Sequence, residues 1–221
     1  MVSVIFDLDG TLIDSAPDIH AAVNRCFAGH GWPPFTLAQV HGFVGRGAPN
    51  LIARALESRG LPHDGPLFQS VLTEFLQDYE TAHGMTQVYP GVIAALDALQ
   101  ARGARLGLCT NKPLAPTRSV LARTGLARFF PVVIGGDSLA VRKPDPAPLL
   151  KAQIMLGGGP ALFVGDSEVD AETARHARLP FLLYTEGYRR SPVDTLAPIA
   201  AFDDYAQLPG LIRQLDDATA P

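Results

Sequence analysis

Apolar and polar positions along the chain fall into two regimes. Residues 2–6, Val-Ser-Val-Ile-Phe, are apolar at four of five positions and rich in β-branched side chains. A short run of this kind predicts a buried strand. The period then lengthens. Asp14-Ser15-Ala16-Pro17 predicts a helix start, with a capping side chain and proline in the first turn. Ile19, Ala22, Val23, Cys26 and Phe27 follow at helical spacing, and Gly29 and Gly31 close the segment. Helical periodicity returns over 36–41, from Pro49 to Gly60, and over 64–80, with a glycine-rich turn at 42–47 that contains Arg46. No strand signal interrupts residues 15–85, and Gly84 to Gly91 reads as a return linker.

Beyond the linker, strand and helix alternate. Strands are predicted at 105–109, 132–134, 161–164 and 181–184, and helices at 92–102, 116–124, 147–156, 169–177 and 205–215. Such alternation implies an α/β fold: a doubly wound, Rossmann-like parallel sheet whose right-handed crossovers lay helices on both faces. The change of pattern predicts two units, an α/β core of residues 1–14 plus 86–221 and an inserted helical cap of residues 15–85.

Composition narrows the picture further. With 221 residues, 47% hydrophobic and 18% charged, the chain has enough apolar surface for a sizeable core. A formal net charge of −4 argues against a nucleic-acid or anionic-membrane surface, since neutralising phosphates needs a local excess of Lys and Arg. Small anionic substrates stay open, because a few placed cations suffice for them. No leader precedes the first strand pattern and no apolar run is long enough to span a bilayer, so the expected compartment is the cytoplasm. Cys26 and Cys109 are expected as reduced, buried thiols. The six histidines, His83 among them, show no close metal-ligand spacing and are expected as surface or packing residues.

The candidate chemistry sits where apolar strands end. Asp7 and Asp9, one residue apart before Gly10, follow the first strand; Thr110 and Asn111 follow a second; Asp166 and Asp170 follow a third. Lys143 lies in a loop after a fourth. In a parallel sheet these strand ends converge on one edge, where open α/β sheets bind ligands. Each cluster also has a plain reading, since Asp, Thr and Asn favour caps and turns. Two aspartates this close repel, so a cation or a proton must offset them. Mg²⁺ suits carboxylate and carbonyl oxygens.

Taken together, Asp7-Leu8-Asp9-Gly10-Thr11, Thr110-Asn111, Lys143-Pro144 and Gly165-Asp166-Ser167 with Asp170 resemble the motifs of the haloacid dehalogenase-like superfamily. The likeness extends to the helical cap after the first strand. Within it, the stretches 6–15, 44–47, 110–113 and 164–174 resemble the phosphoglycolate phosphatase family. The resemblance implies a Mg²⁺-dependent phosphatase for a small phosphorylated metabolite, 2-phosphoglycolate first, working as a monomer or homodimer.

Residue roles follow from the chemistry. Phosphate monoesters hydrolyse very slowly unaided, so the site must supply a nucleophile and offset negative charge. Asp7 is the expected nucleophile, giving an aspartyl-phosphate that water hydrolyses. Asp9 is the expected proton donor and acceptor, which calls for surroundings that favour its neutral form. Asp7, a backbone oxygen of Asp9, and Asp166 are the expected metal ligands. Thr110, Lys143 and the Asn111 backbone N–H are expected to hold phosphoryl oxygens. Asp170 is expected to hold a metal-bound water or to position Lys143, Gly10 to supply a backbone conformation closed to other residues, and Thr11 to orient Asp9. Arg46 and Lys112 are candidate substrate contacts, although turn cations are often simply solvated.

A phosphomutase would share Asp7, Asp9 and the metal. A dehalogenase would lack Asp9, and a phosphonate-cleaving relative would need a cap lysine, of which residues 15–85 contain none. A non-catalytic metabolite sensor retaining the fold is the remaining alternative, and every expected carboxylate is present against it.

Overall fold

The computed structural model describes residues 2–80 and 84–219. Its strands are β1 (Ser3–Phe6), β2 (Ile13–Asp14), β3 (Gln87–Val88), β4 (Arg105–Cys109), β5 (Val132–Ile134), β6 (Ala161–Gly165), β7 (Phe181–Tyr184) and β8 (Ala200–Phe202). Its helices are α1 (Ala16–Gly29), α2 (Leu37–His41), α3 (Ala48–Glu57), α4 (Gly65–Tyr79), α5 (Val92–Ala101), α6 (Leu114–Arg123), α7 (Ala147–Met155), α8 (Glu168–Ala177), α9 (Val193–Leu196) and α10 (Leu208–Thr219).

Six strands form one sheet in the order β5-β4-β1-β6-β7-β8, and every neighbouring pair is parallel. The predicted doubly wound α/β core is therefore the observed one. Side-chain alternation along the strands divides the core in two. Val4 and Phe6 of β1 and Leu162 and Val164 of β6 join Leu96, Val120 and Ile212 from α5, α6 and α10. Ile5 and Phe163 point the other way, to Leu149 and Ala152 of α7 and Ala174 of α8. Gly107 of β4 belongs to that second face, where an added Cβ would stand 2.8 Å from Leu156 Cδ1, so helix and strand approach closely.

Helices α1 to α4 bury a core of their own, including Val23, Phe27, Ile52, Leu56, Val71 and Phe75. The chain passes between the two cores through β2 and β3, which pair antiparallel, Ile13 with Val88 and Asp14 with Gln87. Sequence patterning predicts neither strand, because two residues carry no period; β3 lies inside the expected return linker. Asp18, 4% exposed, accepts from the Thr86 backbone N–H at 2.6 Å and the Thr86 hydroxyl at 2.7 Å, fastening the outgoing chain to the incoming one. Strand β8 also escapes prediction, being three residues long with two alanines. Residues 81–83, and the expectation for His83 with them, lie outside the described residues.

Candidate active site

The central strand decides where the site lies. Strands β4 and β5 extend from one side of β1 and β6 to β8 from the other, so the crossovers diverge at β1 and leave a crevice beyond its carboxyl end. Asp7 follows β1 directly, its N–H donating to Val164 O of β6 at 2.8 Å. Thr110 and Asn111 follow β4, and Asp166 follows β6. Asp7, Thr110, Asn111, Lys112, Lys143, Asp166 and Asp170 are all buried.

Lys143 organises the floor. Its Nζ donates to Asp170 Oδ1 at 2.7 Å and lies 2.9 Å from Asp7 Oδ1, an ion pair without hydrogen-bond alignment. Burial works to lower the ammonium, but Asp170 and Asp7 outweigh it and hold Lys143 above its ordinary range. Asp170 Oδ2 accepts from the backbone N–H groups of Asp166 and Ser167 and from Ser167 Oγ at 2.6 Å, which also caps α8. Both its oxygens are thus engaged. Asp170 stands between Lys143 and the start of α8.

Asp7, Asp166 and Asp170 present oxygens within 4.8 Å of one another. One ammonium among three carboxylates leaves an excess of negative charge. Burial, with Asp170 and Asp9 adding and Lys143 opposing, pushes Asp7 up to about 7. Burial, then Asp170 and Asp7, also hold Asp166 well above the usual carboxylate range. An all-oxygen, charge-starved cluster fits a hard divalent ion.

One expectation needs correcting here. Thr11 Oγ1 donates to Asp166 Oδ1 at 2.8 Å, not to Asp9, because the turn after Leu8 carries Thr11 toward β6. The partner of Asp9 is Ser15, whose hydroxyl donates to Asp9 Oδ1 at 2.5 Å and makes no helix cap. The Lys112 ammonium stands 3.2 Å from the same oxygen, so both neighbours present donors to it. Lys112 also donates to the Tyr79 hydroxyl, from the end of α4, and sits 4.3 Å from the centre of that ring.

Gly10 has φ +87, and an added Cβ would stand 2.4 Å from Asp166 Oδ2, so conformation and crowding both demand glycine. Thr110 Oγ1 accepts from the Lys112 N–H at 3.2 Å and lines a cavity of about 40 Å³ with Asp7, Asp9 and Lys112. Its opposite wall is Ile19, Leu51, Phe75 and Tyr79 from the helical unit. The Asn111 side chain donates to Lys143 O at 2.9 Å and reaches Gly45 O at 3.1 Å across that gap. Arg46 is not in this cavity. It lies in an adjoining cleft with Asp7, Asn50 and Arg190, exposed and 3.9 Å from Glu172. Cys109 is fully buried, its thiol pushed up to about 12 by burial against the pull of Lys143, as suits strand packing.

A family model described as haloacid dehalogenase-like hydrolase matches residues 1–178. The chain belongs to this family. A phosphoglycolate phosphatase of Cereibacter sphaeroides (strain ATCC 17029 / ATH 2.4.9) is 50% identical over 216 residues, spanning 97% of this chain and 99% of that protein. One from Rhodobacter capsulatus is 46% identical over 211 residues, 96% of each chain. Among solved structures, a predicted phosphoglycolate phosphatase from Haemophilus somnus 129PT superposes with a TM-score of 0.87 at 31% identity, covering 95% of this chain and 97% of that one.

Several residues that build the site of this hydrolase are absent from the sequence reading. Tyr188 donates its N–H to Asp166 Oδ2 at 2.6 Å, while its hydroxyl donates to Asp14 Oδ1 at 2.8 Å and accepts from the N–H groups of Ser15 and Ala16. Gly187 lets that loop approach, since a Cβ there would stand 2.3 Å from Gly10 O. Glu168 accepts from the N–H groups of Arg190 and Ser191 at 2.8 and 2.6 Å and pins the same loop. A Gly-Tyr pair after a strand was the available signal. Tyr79 carried none, being one aromatic in a helical stripe.

Proposed function

We propose that this hydrolase is a phosphatase for a small phosphate monoester, with 2-phosphoglycolate as the preferred substrate and an aspartyl-phosphate as the intermediate. The observation that carries the reading is the buried Asp7 carboxylate facing a single ammonium beside Asp166, in a chain half identical to proteins named for that activity. The expected ion is Mg²⁺, held by Asp7 and Asp166 with a backbone oxygen of Asp9. When bound it offsets the repulsion between two anions and orients the phosphoryl group.

Asp7 forms the new P–O bond as the ester P–O bond breaks, and Asp9 gives its proton to the departing glycolate oxygen. Asp9 then takes a proton from the attacking water, whose oxygen displaces Asp7 and releases phosphate. Lys143, fixed by Asp170, together with Thr110 and the Asn111 backbone N–H, offsets charge on the phosphoryl oxygens. Lys112 supplies the substrate carboxylate with a cation.

Residues 15–85 act as the cap. Ile19, Leu51, Phe75 and Tyr79 of the cap wall the cavity opposite Asp7 and Asp9, so substrate enters when the cap moves off and is sealed from water when it returns. Phosphate release from a panel of small esters tests the reading: 2-phosphoglycolate should give the highest kcat/KM, only with Mg²⁺. Equal rates across the panel would remove the substrate assignment, and no release from any ester would remove the phosphatase.

A further inference from the structure

A second cluster of metal-ligating side chains lies in the helical unit, away from the crevice. Cys26 and His30 are four residues apart and share one face of α1 and its terminus, while Glu74 faces them from α4. Their Sγ, ring nitrogen and carboxylate oxygen all lie within 4.8 Å of one another, and His30 Nε2 is 2.8 Å from Glu74 Oε2. A tetrahedral ion bonded to sulfur, nitrogen and oxygen needs donors roughly 3–4 Å apart, so small side-chain shifts suffice.

We propose that Cys26, His30 and Glu74 bind a divalent transition-metal ion of the Zn²⁺ class, with water as the fourth ligand. The supporting contacts are those such a site uses. Ser70 Oγ donates to Glu74 Oε1 at 3.0 Å, which leaves Oε2 aimed at His30. The His30 ring stacks on Trp32 with centroids 4.5 Å apart, fixing its orientation. His30 and Glu74 side chains are 25% and 46% exposed, giving an ion a path from solvent, whereas Cys26 is only 9% exposed. The neighbouring Asp78 is already paired with Arg25 at 2.7 Å.

Binding forms the metal–sulfur bond and releases the thiol proton to solvent. The thiolate and the Glu74 carboxylate together match the charge of a divalent ion. A thiolate separates this site chemically from the all-oxygen cluster at Asp7, which favours hard ions. Nothing in this inference depends on the phosphatase reading.

Co²⁺ titration in the presence of excess Mg²⁺, which fills the oxygen cluster, tests it spectroscopically. Wild-type protein and Cys109→Ser should show a sulfur-to-cobalt charge-transfer band saturating at one equivalent. The band should vanish in Cys26→Ser and weaken in His30→Gln, a surface change that leaves the helix pair folded by circular dichroism. Absence of the band in wild type, its survival in Cys26→Ser and His30→Gln, or its loss with Cys109→Ser instead, would overturn the site.

Discussion

The floor and the roof of the crevice are built on different terms. The floor is polar and densely cross-bonded: Lys143, Asp170, Asp166, Ser167, Thr11 and Tyr188 form one connected set of hydrogen bonds and ion pairs at the ends of β1 and β6. The roof is a helical unit with its own apolar core, and it offers the cavity Ile19, Leu51 and Phe75. Polar contacts that join the two include Asn111 to Gly45 O at 3.1 Å, Arg190 to Gly42 O at 2.9 Å, and Lys112 to the Tyr79 hydroxyl. A connected buried network cannot lose a member without leaving an uncompensated neighbour, whereas apolar walls tolerate exchange. Substitutions in the floor are therefore costly, while the roof's apolar wall can change at less expense.

Substitutions that act on one side only would sharpen that contrast. Asp7→Asn should lower kcat by on the order of 10⁴-fold or more while leaving the fold intact; near-normal turnover would remove Asp7 as nucleophile. Lys143→Met should cost roughly 3–5 kcal/mol of metal-free stability, since Asp7 and Asp170 lose their counter-ion. Thermal melts should show Mg²⁺ recovering part of the loss, and an unchanged Tm would break the picture of a charge-balanced floor.

A pH series separates the floor further. In metal-free protein Asp7 is raised to about 7 from an ordinary 3.8, chiefly by burial. Its protonated form favours the fold, so this contribution is complete below 3.8 and is lost as pH rises through 7. Melts in EDTA should show wild type losing stability relative to Asp7→Asn across that interval, and Mg²⁺ should abolish the difference. Identical pH profiles for the two proteins would discard the assignment.

At the junction of floor and roof, Lys112→Met should raise KM for 2-phosphoglycolate about tenfold to hundredfold, the range of a charged hydrogen bond, with a much smaller effect on p-nitrophenyl phosphate. Equal losses on both substrates would mean that Lys112 serves chemistry and not selection. Arg46→Ala, at an exposed pair 3.9 Å long, should change kcat/KM by less than about threefold. A larger loss would bring Arg46 into the substrate's path after all.

The same contrast explains what could be read in advance. Asp7, Asp9, Lys143 and Asp166 were legible because buried parallel strands announce themselves as apolar runs, and the sheet then dictates that their carboxyl ends meet. Ser15 and Tyr188 were not. Ser15 has the form of a helix cap, and its diversion to Asp9 depends on the turn at Gly10, a tertiary fact. Tyr188 reaches Ser15 across 173 positions of sequence, a separation no local pattern encodes. The Asp9–Lys112–Tyr79 chain was hidden for the same reason: it joins a strand tip, a loop and the end of a helix from the other unit.

Tyr188 has one more consequence. Its amide grips Asp166 while its hydroxyl receives the first N–H groups of α1, at the point where the chain leaves the sheet. In the proposed cap motion, lifting Ser15 and Ala16 would tug on the residue that steadies Asp166, so opening the door and loosening the hold on the proposed ion would be motions of a single lever.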